Sequence, residues 1–431
     1  MGGNSSDRLT GEDTNNALQG RDGNDLRLGE MAMMSWMGTT ATTFSMVATG
    51  LLQQFAKNLQ IYSEQTTVFL FRNFGRKNMQ TTSQVEPTTN QPQGSESVPP
   101  PMVLMQMILG YWVSQSIYVA AQLGIADHFK QKPMSYEELA TATGTNAGAL
   151  YRILRALASV GIFAEVTPGT FTMTPLATFL QQDTPGSLRD VAIMMGDREH
   201  YGSWGNILHA VKTGESSFQH LFGKNIFEYY AQNPEPAAIF DRAMTSFSSI
   251  EIAAVSTEYD FSGIHTLVDV AGGHGSLLRA VLQAYPQING VLFDLPDVIE
   301  RATAMLATSE VCDRCQLVSG NFFESVPAGA NAYMLKHILH DWDDERAIAI
   351  LQHCRQAMAD DGRVLVVEQV IPPGNDPFVG KLLDVNMLVM CPGGKERTAE
   401  EFADLFTAAG LTLTRIVPTQ GIVSVIEGSL I

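Results

Sequence analysis

Positive charge is scarce in this sequence of 431 residues. Lysine and arginine together number 27, against 45 aspartates and glutamates, and the formal net charge at neutral pH is −18. Nucleic acids and anionic membrane surfaces attract proteins through a positive field. The imbalance therefore argues against both as partners.

Cysteine and long apolar runs are also scarce. Four cysteines do not make a disulfide framework in a chain of this length, and the pair Cys312 and Cys315 supplies only half the ligands of a structural zinc site. We expect reduced thiols and no metal. We also find no uninterrupted apolar run of the roughly 18 residues that span a membrane, and no basic region followed by an apolar core at the amino terminus. A soluble, cytoplasmic protein is expected.

The length and the local composition predict several segments. Residues 1–96 end in VEPTTNQPQGSESVPPP, which has too few apolar residues to fold. We interpret 1–100 as an extension with one helix between Met31 and Phe74. The remainder divides into a winged-helix domain over 101–185, a helical connector over 186–260 and an α/β domain over 261–431.

A winged-helix pattern occupies the second segment. The stretch from Met102 to Phe129 is apolar on most helical faces, so we expect it to be buried, here against another subunit. Ser135 with Glu138 predicts a capped helix, Thr145 or Asn146 caps a second one, and TPGT predicts a turn between two strands. Residues 135–180 contain three glutamates and two arginines, whereas a DNA-reading helix needs a positive face. We interpret the module as a dimerisation domain.

The stretch from Ile264 to Arg301 predicts a strand, a turn, a helix and a second strand. An apolar β-branched run is followed by Gly272, Gly273 and Gly275 and then by helical periodicity. Glycines at such a turn let a ligand approach the backbone closely. The pattern suits NAD, FAD and S-adenosylmethionine alike.

Two carboxylates narrow the choice of ligand. Asp269 lies just before the turn, where it would repel a pyrophosphate but attract a cationic ammonium group. Asp294 ends the second strand and is placed to accept both hydroxyls of a ribose. No Lys-Ser/Thr pair follows the glycines, which excludes a phosphate-binding P-loop. The two aspartates favour S-adenosylmethionine, with NAD as the alternative.

Further strand-like runs alternate with helical patterns downstream. They lie at 317–321, 332–336, 363–369, 411–416 and 422–428. We predict a Rossmann-like, doubly wound α/β sheet of about seven strands that ends in an antiparallel strand. Ligands of such sheets bind beyond the carboxyl ends of the strands. Asn321, Lys336 and Glu368 lie at such ends.

One histidine with acidic neighbours is the candidate base. His340 stands beside Asp341 in the segment HILHDWDDERAI, after the predicted fourth strand. Histidine titrates near working pH, which suits it to remove a hydroxyl proton. Glu368 or Glu396 could accept the other ring N–H and fix the tautomer. His337, three residues earlier, competes for the role.

Six motifs in this order resemble a known family. They are LVDVAGGHG, FDLPDVI, SGNFFESVP, LKHILHDWDDE, VVEQVIP and CPGGKERTAEEF, and they resemble the S-adenosylmethionine-dependent O-methyltransferases of the caffeate/hydroxyindole O-methyltransferase type over roughly residues 101–431. The resemblance implies a homodimer and no metal. It implies that His340 is the base and that Glu368 and Glu396 flank it.

The resemblance also assigns the cofactor contacts. The backbone that begins at Ala271 would hold the amino-acid end, and Asp294 would hold the ribose. The adenine side would be formed by Asn321, Phe322 and Lys336. Ala271 replaces the first of the family's usual three glycines. Asn321 stands where aspartate is common in the family. Its side-chain oxygen can still accept a hydrogen bond from the adenine amino group, but the charge complementarity is weaker.

The acceptor pocket is predicted from apolar residues. Phe240, Met244 and Phe247 share one face of a helix just before the glycine turn, and Met387 and Met390 lie close before the last motif. Such a pocket suits a flat aromatic or polyketide-like ring. The next residue, Cys391, occupies a position that is often polar and substrate-facing in plant members, which leaves the acceptor undefined.

The predicted reaction is methylation of a hydroxyl group on a small aromatic or polyketide-like metabolite, as in secondary metabolism. Two alternatives stay open. The same fold and cofactor could serve hydroxylase-like or decarboxylase-like chemistry, or the chain could be a winged-helix regulator that senses a ligand. The presence of His340, Glu368 and Glu396 favours methylation.

Overall fold

The computed structural model describes residues 99–129 and 132–430. The helix predicted between Met31 and Phe74 lies outside the described residues. The contacts below all belong to the compact unit that begins at Leu109.

The amino-terminal elements form the predicted winged-helix pattern. Ser135 and Glu138 make a reciprocal capping box, and the Asn146 side chain accepts the N–H of Ala149 at 2.9 Å. The elements are α1 (Pro100–Gln122), α2 (Ile125–His128), β1 (Met134–Ser135), α3 (Tyr136–Thr143), α4 (Ala147–Ser159), β2 (Phe163–Thr167), β3 (Thr170–Met173) and α5 (Pro175–Thr178). The three strands form an antiparallel sheet in the order β1-β3-β2.

Helix α1 differs from the sequence prediction in one respect. It is long and apolar enough, by length and composition, to cross a membrane, although we expected no such segment. Tyr111 and Trp112 are about half exposed in the single chain, at 49% and 55%, and their burial against another subunit stays a prediction. Exposed apolar side chains in a row mark an interaction surface.

Six helices follow in the segment 186–260, which the sequence predicted to be helical. They are α6 (Arg189–Gly196), α7 (Arg198–Gly205), α8 (Ile207–Thr213), α9 (Ser217–Phe222), α10 (Ile226–Gln232) and α11 (Pro234–Glu258). Gly214 and Gly223 end α8 and α9 in the left-handed conformation, which glycine adopts without strain. The 25-residue helix α11 leads directly into the sheet that carries the site.

The α/β part contains a seven-stranded sheet in the order β6-β5-β4-β7-β8-β10-β9. The first five strands in this order are parallel, and β10 pairs antiparallel with β8 and β9. The elements are β4 (Thr266–Val270), α12 (Ser276–Ala284), β5 (Asn289–Asp294), α13 (Pro296–Leu306), β6 (Cys315–Ser319), β7 (Ala332–Lys336), α14 (Asp344–Ala357), β8 (Arg363–Glu368), α15 (Gly380–Met390), α16 (Ala399–Ala408), β9 (Leu411–Pro418) and β10 (Ser424–Leu430). Short 3₁₀ turns cover Cys312–Arg314 and Leu339–Asp341.

Helices cover both faces of this sheet. Val268 and Val270 pack with α14 and α16 on one face, whereas Leu267 packs with α11, α12 and α13 on the other. Successive side chains of a strand point to opposite faces, so the near-continuous apolar strands are buried on both sides. The predicted doubly wound fold is confirmed, and it brings the carboxyl ends of β4, β5, β7 and β8 to one edge.

Candidate functional site

The glycine turn after β4 is shaped by close contacts. A Cβ atom on Gly272 would lie 2.5 Å from the side chains of Asp269 and Leu292, so no larger residue fits without movement. Gly273 has φ 58°, and Ala271 has φ 55°. Glycine favours this left-handed region, whereas alanine is strained there. The family's usual glycine at position 271 therefore has a conformational reason that sequence reasoning missed.

Asp294 holds the turn from the end of β5. Its two carboxylate oxygens accept the N–H of Gly273 at 2.8 Å and the N–H of Leu295 at 2.7 Å. Each oxygen can accept a second hydrogen bond, so the carboxylate keeps capacity for the two ribose hydroxyls. Burial raises the pKa of Asp294, and the two backbone N–H groups oppose that rise.

Asp269 lies beneath the turn and is almost fully buried. Burial raises its pKa to about 7, against the opposing charge of Lys336. The Lys336 ammonium donates to the Ser248 hydroxyl at 2.8 Å and lies 3.7 Å from a carboxylate oxygen of Glu251, both on α11. Lys336 thus points toward α11 from the end of β7.

The two other residues assigned to the adenine side lie in the loop after β6. Asn321 Oδ1 accepts the N–H of Phe323 at 3.0 Å. The ring of Phe322 packs edge-on against Phe323, with ring centres 4.7 Å apart, and against Trp342 at 6.1 Å. An aromatic surface therefore stands beside the end of the sheet.

His340 lies in the 3₁₀ turn after β7 and is 7% exposed. Its Nδ1 is 2.6 Å from Oε1 of Glu396, and its Nε2 is 3.6 Å from Oδ1 of Asp341. Burial alone would lower the pKa of His340. The neighbouring charges of Asp341, Glu396 and Glu368 outweigh burial and raise it to about 10.

The two candidate orienting carboxylates have different geometry. Glu396 bonds the ring of His340, whereas Glu368 accepts the backbone N–H groups of Ile338, Leu339 and His340 at 3.0, 2.7 and 3.2 Å. Glu396 is therefore the carboxylate that can fix the tautomer. Glu368 supports the backbone of the turn that carries the base.

Two further features of this turn escaped sequence reasoning. Arg397 is fully buried, and its guanidinium donates to the carbonyl oxygens of Leu339 and Trp342, both at 2.9 Å. His337 has φ 53°, and its Nε2 lies 2.8 Å from buried Glu251. A glutamate inside the apolar pattern of α11 was the available signal for this pair. The structure places the ring of His337 5.1 Å from that of His340.

The apolar residues predicted for the acceptor pocket come together in part. Phe240 packs against a buried cluster that includes Met387, Met390 and Cys391. Met244 and Phe247 follow on α11 and are half-buried. The Cys391 thiol donates to Asp341 Oδ1 at 3.3 Å, which ties this cluster to the candidate base.

All four cysteines of the chain lie among the residues that the structure describes. Cys312, Cys315, Cys354 and Cys391 are free thiols. Within residues 99–129 and 132–430, no three His, Cys, Asp or Glu side chains are grouped so that they could hold a metal ion.

Two family models match the chain. An O-methyltransferase dimerisation domain matches residues 105–183, and an O-methyltransferase domain matches residues 204–412. The phenazine O-methyltransferase PhzM of Lysobacter antibioticus is 47% identical over 331 residues, which are 77% of this chain and 96% of that protein. The phenazine-1-carboxylate N-methyltransferase of Pseudomonas aeruginosa is 34% identical over 314 residues, 73% of this chain and 92% of that protein.

A solved O-methyltransferase structure is also similar to this chain. The O-methyltransferase NcsB1 from neocarzinostatin biosynthesis, in complex with S-adenosylhomocysteine and 1,4-dihydroxy-2-naphthoic acid, has a TM-score of 0.66 and 32% identity. The match covers 74% of this chain and 96% of that one. Similarity at this level extends through both the winged-helix and the α/β parts.

Proposed function

The chain belongs to the O-methyltransferase family, and on that premise we propose that it transfers a methyl group from S-adenosylmethionine to an aromatic hydroxyl group, with His340 as the general base. The contact that carries this proposal is the 2.6 Å hydrogen bond between Glu396 and Nδ1 of His340. It leaves Nε2 as the nitrogen that can take the hydroxyl proton.

The residues at the glycine turn fit the cofactor. The absence of a side chain at Gly272 lets the turn backbone pack directly against Asp269 and Leu292, and each oxygen of Asp294 retains a free acceptor position. Asp294 would bind the ribose, the backbone from Ala271 to Gly275 the amino-acid end, and Phe322 the adenine face. S-adenosylmethionine supplies a methyl group that is already activated by a cationic sulfur, so the protein must mainly position the acceptor and remove one proton.

His340 performs the proton transfer. In its neutral form the ring donates Nδ1–H to Glu396, and Nε2 accepts the proton as the acceptor oxygen becomes nucleophilic. Glu396 then stabilises the imidazolium through a charge-assisted hydrogen bond. Glu368 and Arg397 act on the backbone of the turn, and so they are positioning residues.

The acceptor is inferred to be a flat, fused aromatic molecule that carries a hydroxyl group. Phe240, Met387 and Met390 provide an apolar wall, and flexible methionines adapt to rings of different outline. PhzM is named for a phenazine, and NcsB1 is bound to a dihydroxynaphthoic acid. The relatives described above are methyltransferases, so they support neither a regulator nor hydroxylase-like or decarboxylase-like chemistry.

Oxygen, rather than nitrogen, is the inferred methyl acceptor. A phenol must lose its proton as it attacks, whereas a neutral amine attacks through its own lone pair and loses a proton afterwards. A buried histidine that is oriented by a carboxylate serves the first reaction more than the second. Because one relative is named for N-methylation, the choice between oxygen and nitrogen must be tested.

The proposal also includes the oligomeric state and the cellular location of the protein. The match to a dimerisation domain and the exposed apolar side chains of α1 support a homodimer. The net charge of −18 disfavours nucleic acid and anionic membranes as partners. A cytoplasmic homodimer is the proposed form of the enzyme.

The test uses S-adenosylmethionine with a trideuterated methyl group. Matched hydroxy and amino derivatives of phenazine, naphthoic acid and indole are incubated with the enzyme, and mass spectrometry and NMR locate the label. We expect label on oxygen, and its loss in the His340→Gln variant. His265→Gln, at an exposed position, should retain activity. Label on nitrogen alone, or undiminished O-methylation by His340→Gln, would contradict the proposal.

A further inference from the structure

Carboxylates surround the buried ring of His340 on several sides. Glu396 lies 2.6 Å from Nδ1, Asp341 lies 3.6 Å from Nε2, and Glu368 lies under the backbone of the same turn. Oε2 of Glu396 is buried without a hydrogen-bond partner. The ring of His340 is thus the polar side chain that balances the charge of Glu396.

The other polar groups near the ring are engaged elsewhere and do not neutralise the charge of Glu396. Arg397 divides its guanidinium between Asp344 at 2.9 Å and the backbone carbonyls of Leu339, Trp342 and Lys395. His337 is paired with Glu251, which also lies near Lys336. The Cys391 thiol is a neutral donor to Asp341.

A neutral His340 would therefore leave excess negative charge in a buried site, which is costly. The pKa of about 10 at His340 agrees with this geometry. A nitrogen-to-oxygen distance of 2.6 Å also indicates a charge-assisted hydrogen bond. An imidazolium cannot accept a hydroxyl proton, so the cofactor-free site is not yet competent.

We propose that His340 rests as an imidazolium and that binding of the cationic methyl donor expels its proton, so that the donor itself prepares the base. The inference rests on the proposed function, because the methyl group must reach the oxygen that bonds His340. During transfer the sulfonium would be separated from Nε2 only by the methyl group and the acceptor oxygen, so the bound donor would carry its positive charge near the ring even before the acceptor binds. Two positive charges so close together in a buried site repel each other.

The charges balance over a full cycle. When the sulfonium ligand binds, the Nε2–H bond breaks and one proton leaves. His340 then takes one proton from the acceptor hydroxyl, whose oxygen forms the new bond to carbon as the carbon–sulfur bond breaks. The product thioether is neutral, so the imidazolium is again the stable form. One proton is released per methyl group, as the overall reaction requires.

Asp341 provides the exit for the proton. Its Oδ1 lies 3.6 Å from Nε2 of His340, and the same residue lines a cavity of about 310 Å³ that Trp342, Lys224 and Arg346 also line. A bridging water molecule or a small approach of the two side chains would carry the proton across this gap to the Asp341 carboxylate, and from there to solvent in the cavity. Burial raises the pKa of Asp341, which assists its transient protonation.

The test compares two ligands that differ in one charge. S-adenosylmethionine and S-adenosylhomocysteine are titrated into the whole protein by calorimetry at pH 8, in buffers with different ionisation enthalpies. Both ligands have the same amino-acid end, so any contribution of Asp269 to proton release cancels in the difference. We expect roughly 0.3 to 1 more proton released per bound S-adenosylmethionine than per bound S-adenosylhomocysteine. The difference should vanish at pH 5.5 and in His340→Gln.

Equal proton release with both ligands would overturn the inference, and so would a difference that persists in His340→Gln. If that variant does not bind, ¹⁵N NMR of labelled histidine in the wild-type protein decides, since Nε2 of His340 must lose its hydrogen with the sulfonium ligand alone. Equal release with normal methyl transfer defeats only this inference. Undiminished O-methylation by His340→Gln defeats the proposed function itself.

Discussion

At the scale of single residues, Glu396 controls both the orientation and the basicity of His340. In Glu396→Gln the amide oxygen can still accept the Nδ1 hydrogen, but the negative charge is lost. Because this charge raises the pKa of His340, its removal lowers that pKa. We expect kcat/KM to fall roughly 10- to 100-fold, since the base is weaker and the imidazolium less stabilised.

The pH dependence of Glu396→Gln separates this role from a purely structural one. Activity requires the neutral ring, so the acid limb of the kcat/KM profile should move to lower pH. Glu400→Gln, at an exposed position four residues later, should leave the profile unchanged. An acid limb that stays in place would show that Glu396 does not set the basicity of His340.

We predict that Asp269 lowers the stability of the folded chain at alkaline pH and strengthens the binding of S-adenosylmethionine. Its pKa in the folded chain, about 7, lies above the ordinary value of 3.8. The folded state therefore prefers the protonated form, and the stability contributed by this group is full below pH 3.8 and lost as pH rises to about 7. Asp269→Asn should be more stable than the wild type at pH 8 and not at pH 4, while binding S-adenosylmethionine more weakly.

Denaturant unfolding at the two pH values, with calorimetry of cofactor binding, checks this prediction. A stability difference that does not change with pH would mean that Asp269 is not held in its protonated form by burial. Unchanged affinity would remove it from the cofactor site.

Sequence reasoning at this scale selected candidate residues but did not predict their contacts. It placed His340 between two glutamates but left open which one would contact the ring. That choice depends on where the loop carrying Glu396 passes relative to the end of β8, which no local pattern encodes. The left-handed conformation of Ala271 is likewise set by tertiary packing, since alanine does not favour it.

At the scale of elements, the glycine turn offers a matched pair of substitutions. Gly272→Ala places a Cβ 2.5 Å from Asp269 and Leu292, whereas Gly273→Ala meets no atom within 4 Å and only adopts φ 58°. We expect at least a roughly 100-fold loss of S-adenosylhomocysteine affinity for the first, since the turn must shift by more than the usual tolerance. The second should cost about 1 kcal/mol of strain, or less than tenfold.

Equilibrium binding of S-adenosylhomocysteine by the two variants makes this comparison, with circular dichroism to show that both are folded. Equal losses would indicate that conformational freedom, and not space, is what the turn requires.

The strands and helices were largely predictable from periodicity. The run 332–336 matched β7 in full, and Asn146 capped its helix as expected. Strand ends were less certain, because β6 stops at Ser319 and leaves Asn321 in the following loop. Hydrophobic pattern identifies the buried middle of a strand, whereas its ends depend on the neighbouring strands.

At the scale of the whole molecule, helix α1 is predicted to hold two protomers together. The variant Trp112→Lys with Val113→Lys introduces charge at two exposed apolar positions. We expect a shift from dimer to monomer in light scattering, because buried unpaired charge destabilises an interface. Thr141→Lys, at an exposed position outside α1, is the control and should remain dimeric. A double variant with the wild-type mass would place the interface elsewhere.

At this scale the sequence predicted the seven-stranded α/β sheet, whereas the surface that covers α1 stays a prediction. Apolar residues on most faces of the segment Met102–Phe129 indicated burial, yet a single chain cannot show what covers them. The winged-helix module likewise required charge reasoning to separate dimerisation from DNA binding. The net charge argues against nucleic acid and anionic membranes as partners, whereas the surface that covers α1 must be found by experiment.

The central claim is that His340 is the base for methyl transfer to oxygen. The most direct test is the single-turnover rate of wild-type enzyme and His340→Gln, each saturated with S-adenosylmethionine and mixed rapidly with the best hydroxylated acceptor. The proposed function predicts a rate lower by roughly 100- to 10,000-fold in the variant, with the affinity for the uncharged-sulfur ligand S-adenosylhomocysteine within about threefold of wild type, an energy change below 1 kcal/mol. An unchanged single-turnover rate in a variant that is saturated with S-adenosylmethionine would contradict it.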